Sequence, residues 1–228
     1  MKSAQLLSIL CSAKRGVKPK FTPYHILKTL LYLAERPHGR IELSRKLGLG
    51  EASTRTLIQR LKVEGLINVD KIAGAFLTDK GRKVIDEMLN KIILVGSVNV
   101  KDYCEDCRGY CIIIRRGLTI VRNRGVLAIR DLVVREGAYG AIIAIFKEGR
   151  FLLPVAGNAH EEFRDERLKK FLLSRVTIME GDAVIISLCK GEIDCSMPLI
   201  NAAIHMLSTY DNDSLNTERR RELKAINT

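Results

Sequence analysis

The sequence predicts an α+β protein, with an N-terminal winged helix-turn-helix followed by a ferredoxin-like βαββαβ(α) sandwich. Three observations carry this expectation. A Gly48-Leu49-Gly50 turn feeds the segment EASTRTLIQRLKVEG, whose apolar residues recur at helical spacing. Leu66-Ile67, a Gly-centred hairpin and a Thr78-headed helical stretch come next. From about residue 111 the period changes, and short apolar runs alternate with amphipathic stretches in the order β-α-β-β-α-β-α.

The elements follow in order. MKSAQLLSILCSAKRG reads as a short amphipathic helix, with Leu6, Leu7, Ile9 and Leu10 on one side and Lys2, Lys14 and Arg15 at its ends. Its apolar part is too short and too interrupted for a secretion signal, so a cytoplasmic protein is expected. Thr22 caps the next helix with Pro23 at its first position, where proline's fixed φ and missing donor are tolerated. That helix sets Ile26, Leu27, Leu30, Leu31 and Ala34 on one stripe. IELSRKL is a short helix that Gly48 ends in a left-handed conformation. The third helix faces Thr54, Leu57, Ile58 and Leu61 inward. Leu66–Val69 and Ala75–Leu77 flank a tight wing, and Thr78 caps a fourth helix.

In the second half, CIIIRRGLTIV reads as one strand with a polar interruption and RGVLAIRDLVVREG as a helix. AIIAIFKEGRFLLPV is a hairpin with Pro154 at a strand end, and HEEFRDERLKKFLLSRV is a charged amphipathic helix. GDAVIISLC is a buried strand and CSMPLINAAIHMLSTY the last helix. The expected organisation is an arm over 1–20, a winged helix over 21–93, a linker with a cysteine cluster over 94–110, an effector or dimerisation domain over 111–210 and a polar tail over 211–228.

Charge locates the polyanion partner. The chain carries net charge +12, and residues 1–91 hold 18 Lys and Arg against 8 Asp and Glu. A basic half of this kind concentrates phosphate backbones by counterion release. No apolar run is long enough to span a bilayer, so no membrane partner is expected. Tryptophan is absent, which disfavours stacking on single strands. The outward face of the third helix offers double-stranded DNA both kinds of contact. Arg55 matches the two acceptors of guanine and Gln59 suits adenine. Ser53 and Thr56 are short enough for close approach, and Arg60, Arg45 and Lys71 are placed for phosphates, with Lys80 and Arg82 beyond them. The alternatives are an RNA- or ribosome-associated module and a protein-interaction winged helix without sequence-specific DNA binding.

Several stretches resemble a family. FTPYHILKTLLYLAE, LGLGEASTRTLIQRLKVEGLI and LTDKGRKVIDEML are similar to the winged-helix half of a group of uncharacterised archaeal proteins. IRDLVVREGAYGAIIAIFKEGRFLLP is similar to their C-terminal α/β domain of unknown function, through Arg130-Asp131, Gly137-Ala138, Gly140-Ala141 and Pro154. The resemblance implies a DNA-binding transcriptional regulator with an effector or assembly domain. It brings no cofactor, no established ligand and no catalytic residue.

Regulators of this type act as homodimers on pseudo-palindromes. The candidate association surfaces are the helix around Leu6–Leu10, the ILVGSV segment and the second sheet; a small-molecule effector is the further possible partner. Cys104, Cys107 and Cys111 have a spacing that thiolates use for zinc, but only three ligands are local. The other readings are a Cys104–Cys107 disulfide and a simply buried Cys111. Gly137-Ala-Tyr-Gly140 reads as a helix end rather than a phosphate loop. His160 and His205 lack partners at a catalytic spacing, the paired carboxylates of a hydrolase are missing, and no reaction is expected.

Overall fold

The computed structural model describes residues 2–13, 18–154 and 160–210. Lys14, Arg15 and the polar tail over 211–228 lie outside the described residues. The chain forms two compact units. Among the described residues, the first holds those up to 88 together with 204–210, and the second holds those between 89 and 203.

The first unit starts with α1 (Ser3–Leu10), α2 (Pro23–Glu35), α3 (Arg40–Leu47) and α4 (Glu51–Val63). Strands β1 (Ile67–Asp70) and β2 (Gly74–Leu77) pair antiparallel, and α5 (Asp79–Lys91) follows. Local chemistry sets these limits. Pro23 opens α2, and the His25 ring nitrogen accepts the Thr22 backbone N–H at 3.1 Å. Gly48 ends α3 at φ 62°, a conformation that would strain a side chain. Thr78 Oγ1 accepts the Gly81 N–H at 3.1 Å, and its own O–H donates to the Gly65 carbonyl at 2.7 Å. One side chain thereby caps α5 and fixes the exit of α4.

The core of this unit is aliphatic, with Leu27, Leu30, Leu43, Leu57, Leu61 and Leu66 all but closed to solvent. The α1 stripe joins the buried set: Leu6, Leu7 and Leu10 are 6%, 0% and 1% exposed. The expectation that Leu6–Leu10 offers an association surface is therefore corrected. These side chains are consumed inside the chain, and only Ile9 stands out.

The hairpin has a third backbone partner that the sequence does not announce. His38 pairs with Ala75 through two N–H···O bonds of 2.9 Å. A Cβ on Gly74 would meet the His38 carbonyl oxygen at 2.5 Å, so only glycine lets the strand pass. The His38 ring is buried, edge-on to Tyr32. Its Nδ1 lies 2.9 Å from Glu42 Oε2, too oblique for a directed hydrogen bond. That imidazole is still the main cause holding the Glu42 carboxyl below its usual range.

The second unit is built on β3 (Ile92–Val98), β4 (Arg108–Ile114), β5 (Gly140–Lys147), β6 (Arg150–Pro154), β7 (His160–Glu162) and β8 (Ala183–Cys189). Its helices are α6 (Leu118–Arg124), α7 (Val126–Arg135) and α8 (Glu166–Arg175); a further helix α9 spans 196–210, with its residues from 204 counted in the first unit. The six strands form one antiparallel sheet in the order β3-β4-β8-β5-β6-β7.

This order corrects the ferredoxin-like expectation. A ferredoxin-like sheet centres the first and third strands of βαββαβ. Here β8 and β5, the fourth and second, are central. The reason lies in β8, where every residue from Ala183 to Cys189 is buried. Such a strand needs cover on both faces and a neighbour on both edges. Hairpin β5–β6 extends away from it toward the short β7 edge, where all three residues are exposed. Two further readings are corrected. CIIIRRGLTIV is not one strand, because β4 stops at Ile114, Arg116 turns at φ 53°, and α6 follows. The start of the expected 94–110 linker is not linker: residues 94–98 complete β3, paired to β4 with an irregularity between Leu94 and Gly96.

Alternation along the strands fills both faces. Cys111, Ile113, Val184 and Ile186 share a cluster with Phe163, Leu168 and Leu172 from the α8 side. Ile112, Ile114 and Ile185 point the other way and are buried too. Asp182, 1% exposed, ties the turns at one end of the sheet. Its carboxylate accepts the Arg115 guanidinium, the Arg116 N–H at 3.1 Å and the Met179 N–H at 2.9 Å.

Candidate nucleic-acid interface

The outward face of α4 is open. Thr54, Leu57 and Leu61 form its buried stripe. At about 100° per residue, Arg55, Thr56 and Gln59 fall on the far side of the helix. All three are exposed, and Ser53 is half-buried at the margin. Among the described residues, the Arg55 and Gln59 side chains make no hydrogen bond or ion pair. Thr56 donates its hydroxyl to the Ala52 carbonyl at 3.0 Å, which turns its methyl outward. Gly50 at φ −63° starts the helix, and Thr54 Oγ1 donates back to its carbonyl at 3.2 Å.

The flanking cations divide into free and committed ones. Arg45 and Lys71 are exposed, Lys71 in the turn between β1 and β2. That turn is rigidified by Asp70, whose carboxylate accepts the Ile72 and Ala73 N–H groups at 2.7 and 2.8 Å. Those bonds, the Ala73 one first, hold the Asp70 carboxyl below its usual range. Arg40 pairs with Glu51 at 3.2 Å and Arg36 with Glu42. Lys80 donates to the Glu64 carbonyl at 2.6 Å, the acceptor-rich end of α4.

Arg60 departs from its expected place on phosphates. Its guanidinium donates to the carbonyls of Leu10 and Ser12 at 2.6 and 2.7 Å and lies over the Phe21 ring at 5.5 Å. It fastens the end of α1 to α4 instead of facing solvent. A signal for this exists in the spacing, because Arg60 is adjacent to the buried stripe on the helical wheel and not opposite it.

The remaining candidates lie beyond α5. Cys104 and Cys107 are joined as a disulfide, as are Cys189 and Cys195. Cys111 is buried in the sheet and unpaired, and burial pushes its thiol up. Among the described residues, no three His, Cys, Asp or Glu side chains converge as metal ligands. A cleft of about 290 Å³ is lined by Ser97, Asn99, Asp102, Asp165, Arg167 and Phe171. Beside it Tyr103 stacks on Phe163 at 6.0 Å between ring centres. Burial, and then the Asp165 carboxylate, push the Tyr103 hydroxyl up to about 12. Gly137 at φ 114° ends α7, and the exposed His160 and His205 stand on β7 and α9. No described helix is long and apolar enough to cross a membrane.

Comparison with known proteins places both halves. Residues 25–83 match a family described as PH0730-like, N-terminal domain, and residues 107–206 match a domain of unknown function, DUF4443. The solved structure of the hypothetical protein PH0730 from Pyrococcus horikoshii OT3 is similar at 25% identity, with a TM-score of 0.57 over 82% of this chain and 91% of that one. ZitR of Lactococcus lactis is 20% identical over 35% of this chain and 54% of its own, with a TM-score of 0.27. An IclR family transcriptional regulator from Brucella abortus is 14% identical over 90% and 98%, with a TM-score of 0.29. None of the curated proteins matches.

Proposed function

We propose that the first unit is a winged helix that lays α4 in the major groove of double-stranded DNA, and that the protein is a transcriptional regulator. The single observation that carries this reading is the free outer face of α4. Arg55 and Gln59, two side chains whose geometry matches purine edges, are exposed and uncommitted within a half that carries 18 Lys and Arg against 8 Asp and Glu. Ser53 and Thr56 lie beside them, and Arg45 and Lys71 are free to meet phosphates. Arg60 drops out of the phosphate set. In this reading the second unit serves dimerisation and binding of a small-molecule effector, and the cleft at Asp102 and Asp165 supplies a place for the latter. No reaction is assigned to either unit.

Selection of bound duplexes from a genomic library at two salt concentrations tests the reading. Against the preferred site, Arg55→Ala is expected to cost about 1–3 kcal/mol and to relax selection at one base position. Lys71→Ala is expected to weaken all duplexes alike and to lower the salt slope by about 1. Equal binding of every duplex by the parent and by Arg55→Ala removes the base-reading role.

A second reading, a protein-interaction module, is favoured by one feature. Ile72 at the hairpin tip is 98% exposed and Val63 at the end of α4 is 64% exposed, which is unusual apolar surface for a phosphate-facing domain. Capture of protein partners by the parent and by Ile72→Ser, with duplex binding measured alongside, separates the readings. Loss of partner capture without loss of duplex binding in Ile72→Ser favours the second.

A further inference from the structure

The outermost ridge of α4 is uncharged where a helix that met only phosphates would carry cations. At about 100° per residue, Ala52, Thr56, Gln59 and Val63 fall within about 30° of a single line. The line runs opposite the buried Thr54, Leu57 and Leu61. All four ridge residues are exposed, and Val63 is 64% exposed. Arg55 stands on one flank of the ridge and the half-buried Ser53 on the other. Thr56 belongs with the apolar members, because its hydroxyl is committed to the Ala52 carbonyl at 3.0 Å. What it has left for a partner is its methyl group. Gln59 is the one polar side chain on the line, and it is uncommitted among the described residues.

The chemistry of the major groove gives this pattern a partner. Thymine alone among the four DNA bases shows an apolar group there, its C5-methyl, and alanine and threonine methyls pack on it. Adenine, its pairing partner, shows the N7 acceptor and the N6 donor that a glutamine side chain matches. A row of methyls broken by one glutamine therefore complements what A·T pairs display. Attraction to the duplex does not depend on the ridge. It comes from the surrounding half of the chain, with 18 Lys and Arg against 8 Asp and Glu, and is indifferent to sequence. The ridge itself is left to discriminate between bases.

We infer that α4 selects A·T pairs through this ridge. The Thr56 methyl, with Ala52 one turn before it and Val63 two turns after it, packs on thymine C5-methyl groups, and Gln59 pairs with adenine between them. The inference rests on the major-groove reading proposed above and names the bases which that reading takes. From Ala52 to Val63 the ridge rises about 16 Å, so the methyls meet different base pairs. The exposure of Val63 then has a use: an apolar side chain is out of place on a phosphate and in place on a thymine methyl.

Exchanging thymine for uracil removes the C5-methyl and keeps every base-pairing hydrogen bond. The probe is the duplex that the full chain selects from the genomic library, made once with thymine and once with deoxyuridine throughout. The parent is expected to bind the thymine form at least about tenfold more tightly, since each buried methyl is equivalent to about a fourfold gain. Thr56→Ser keeps the hydroxyl and loses the methyl, and its preference for thymine is expected to fall about fourfold. Thr56→Val keeps the methyl and loses the hydroxyl, and it is expected to hold the parental preference. Equal affinity of the parent for both forms, a Thr56→Ser preference equal to the parent's, a Thr56→Val preference that is lost, or a selected site of G·C pairs alone each overturns the inference. All four leave base-specific duplex binding, and with it the major-groove reading, standing. A parent that selects no duplex removes both.

Discussion

Replacing Arg60 by alanine separates two roles that the same residue type can play on α4. The structure commits its guanidinium to the Leu10 and Ser12 carbonyls and to the face of Phe21. A hydrogen bond to a charged group contributes about 1.5–3 kcal/mol. A cation over an aromatic ring contributes about 0.5–1 kcal/mol near the surface. Ser12 is exposed, so its carbonyl regains water when the guanidinium leaves and that bond counts for little; the Leu10 bond and the ring contact remain, toward the lower end of their ranges. The loss is then about 2–3 kcal/mol, confined to the unit that holds α1 and α4. For a domain of this size that corresponds to a fall of about 8 °C or more in Tm. Thermal unfolding followed by helical circular dichroism reads it. Duplex affinity measured well below the melting range is expected to keep its salt slope. An unchanged Tm together with a salt slope lowered by about 1 would refute this assignment and return Arg60 to the phosphates.

Three further outcomes are expected. Without reductant, the denatured protein should show two reactive thiols, Cys11 and Cys111, and six after reduction; any other count removes the two disulfides. In the native state neither free thiol should react quickly, since burial pushes Cys11 up to about 12 and Cys111 up as well. Gly81→Ala would drive a Cβ to 2.2 Å from the Leu66 carbonyl oxygen, and a loss of about 1–3 kcal/mol is expected in urea unfolding, where an unchanged midpoint contradicts the packing. Tyr103 binds its proton more tightly when folded, with a value raised to about 12, so its contribution is complete below about 10 and lost as pH rises from there toward 12. Ultraviolet titration against Tyr103→Phe shows this, and a phenol that ionises near 10 in the folded protein contradicts it.

How much of this was legible follows from where each determinant lies. Gly48, Thr78 and the Thr54, Leu57 and Leu61 stripe act over a few residues, and those spacings can be read directly. The strand order cannot, because it depends on pairings such as Ile112 with Ile185 that no local pattern encodes. The continuous apolar run of β8 did carry the information that it must be central, but not which neighbours it takes. β3 escaped because Lys91 passes into Ile92 with no glycine or proline to punctuate the change. The roles of His38 and Arg60 escaped for a different reason. Each is a polar residue whose partners, Ala75 and the Leu10 carbonyl, come from remote sequence.

The central strand is also the last one made. A growing polypeptide can close β3 on β4 and β5 on β6 as each pair leaves the ribosome, but these are two separate hairpins. Only β8, ending at Cys189, lies between them. Until it emerges, β4 and β5 present bare hydrogen-bonding edges to whatever is nearby. A chain interrupted before Ala183 thus holds two half-sheets that nothing joins, and the nascent protein needs shielding between the emergence of β4 and that of β8.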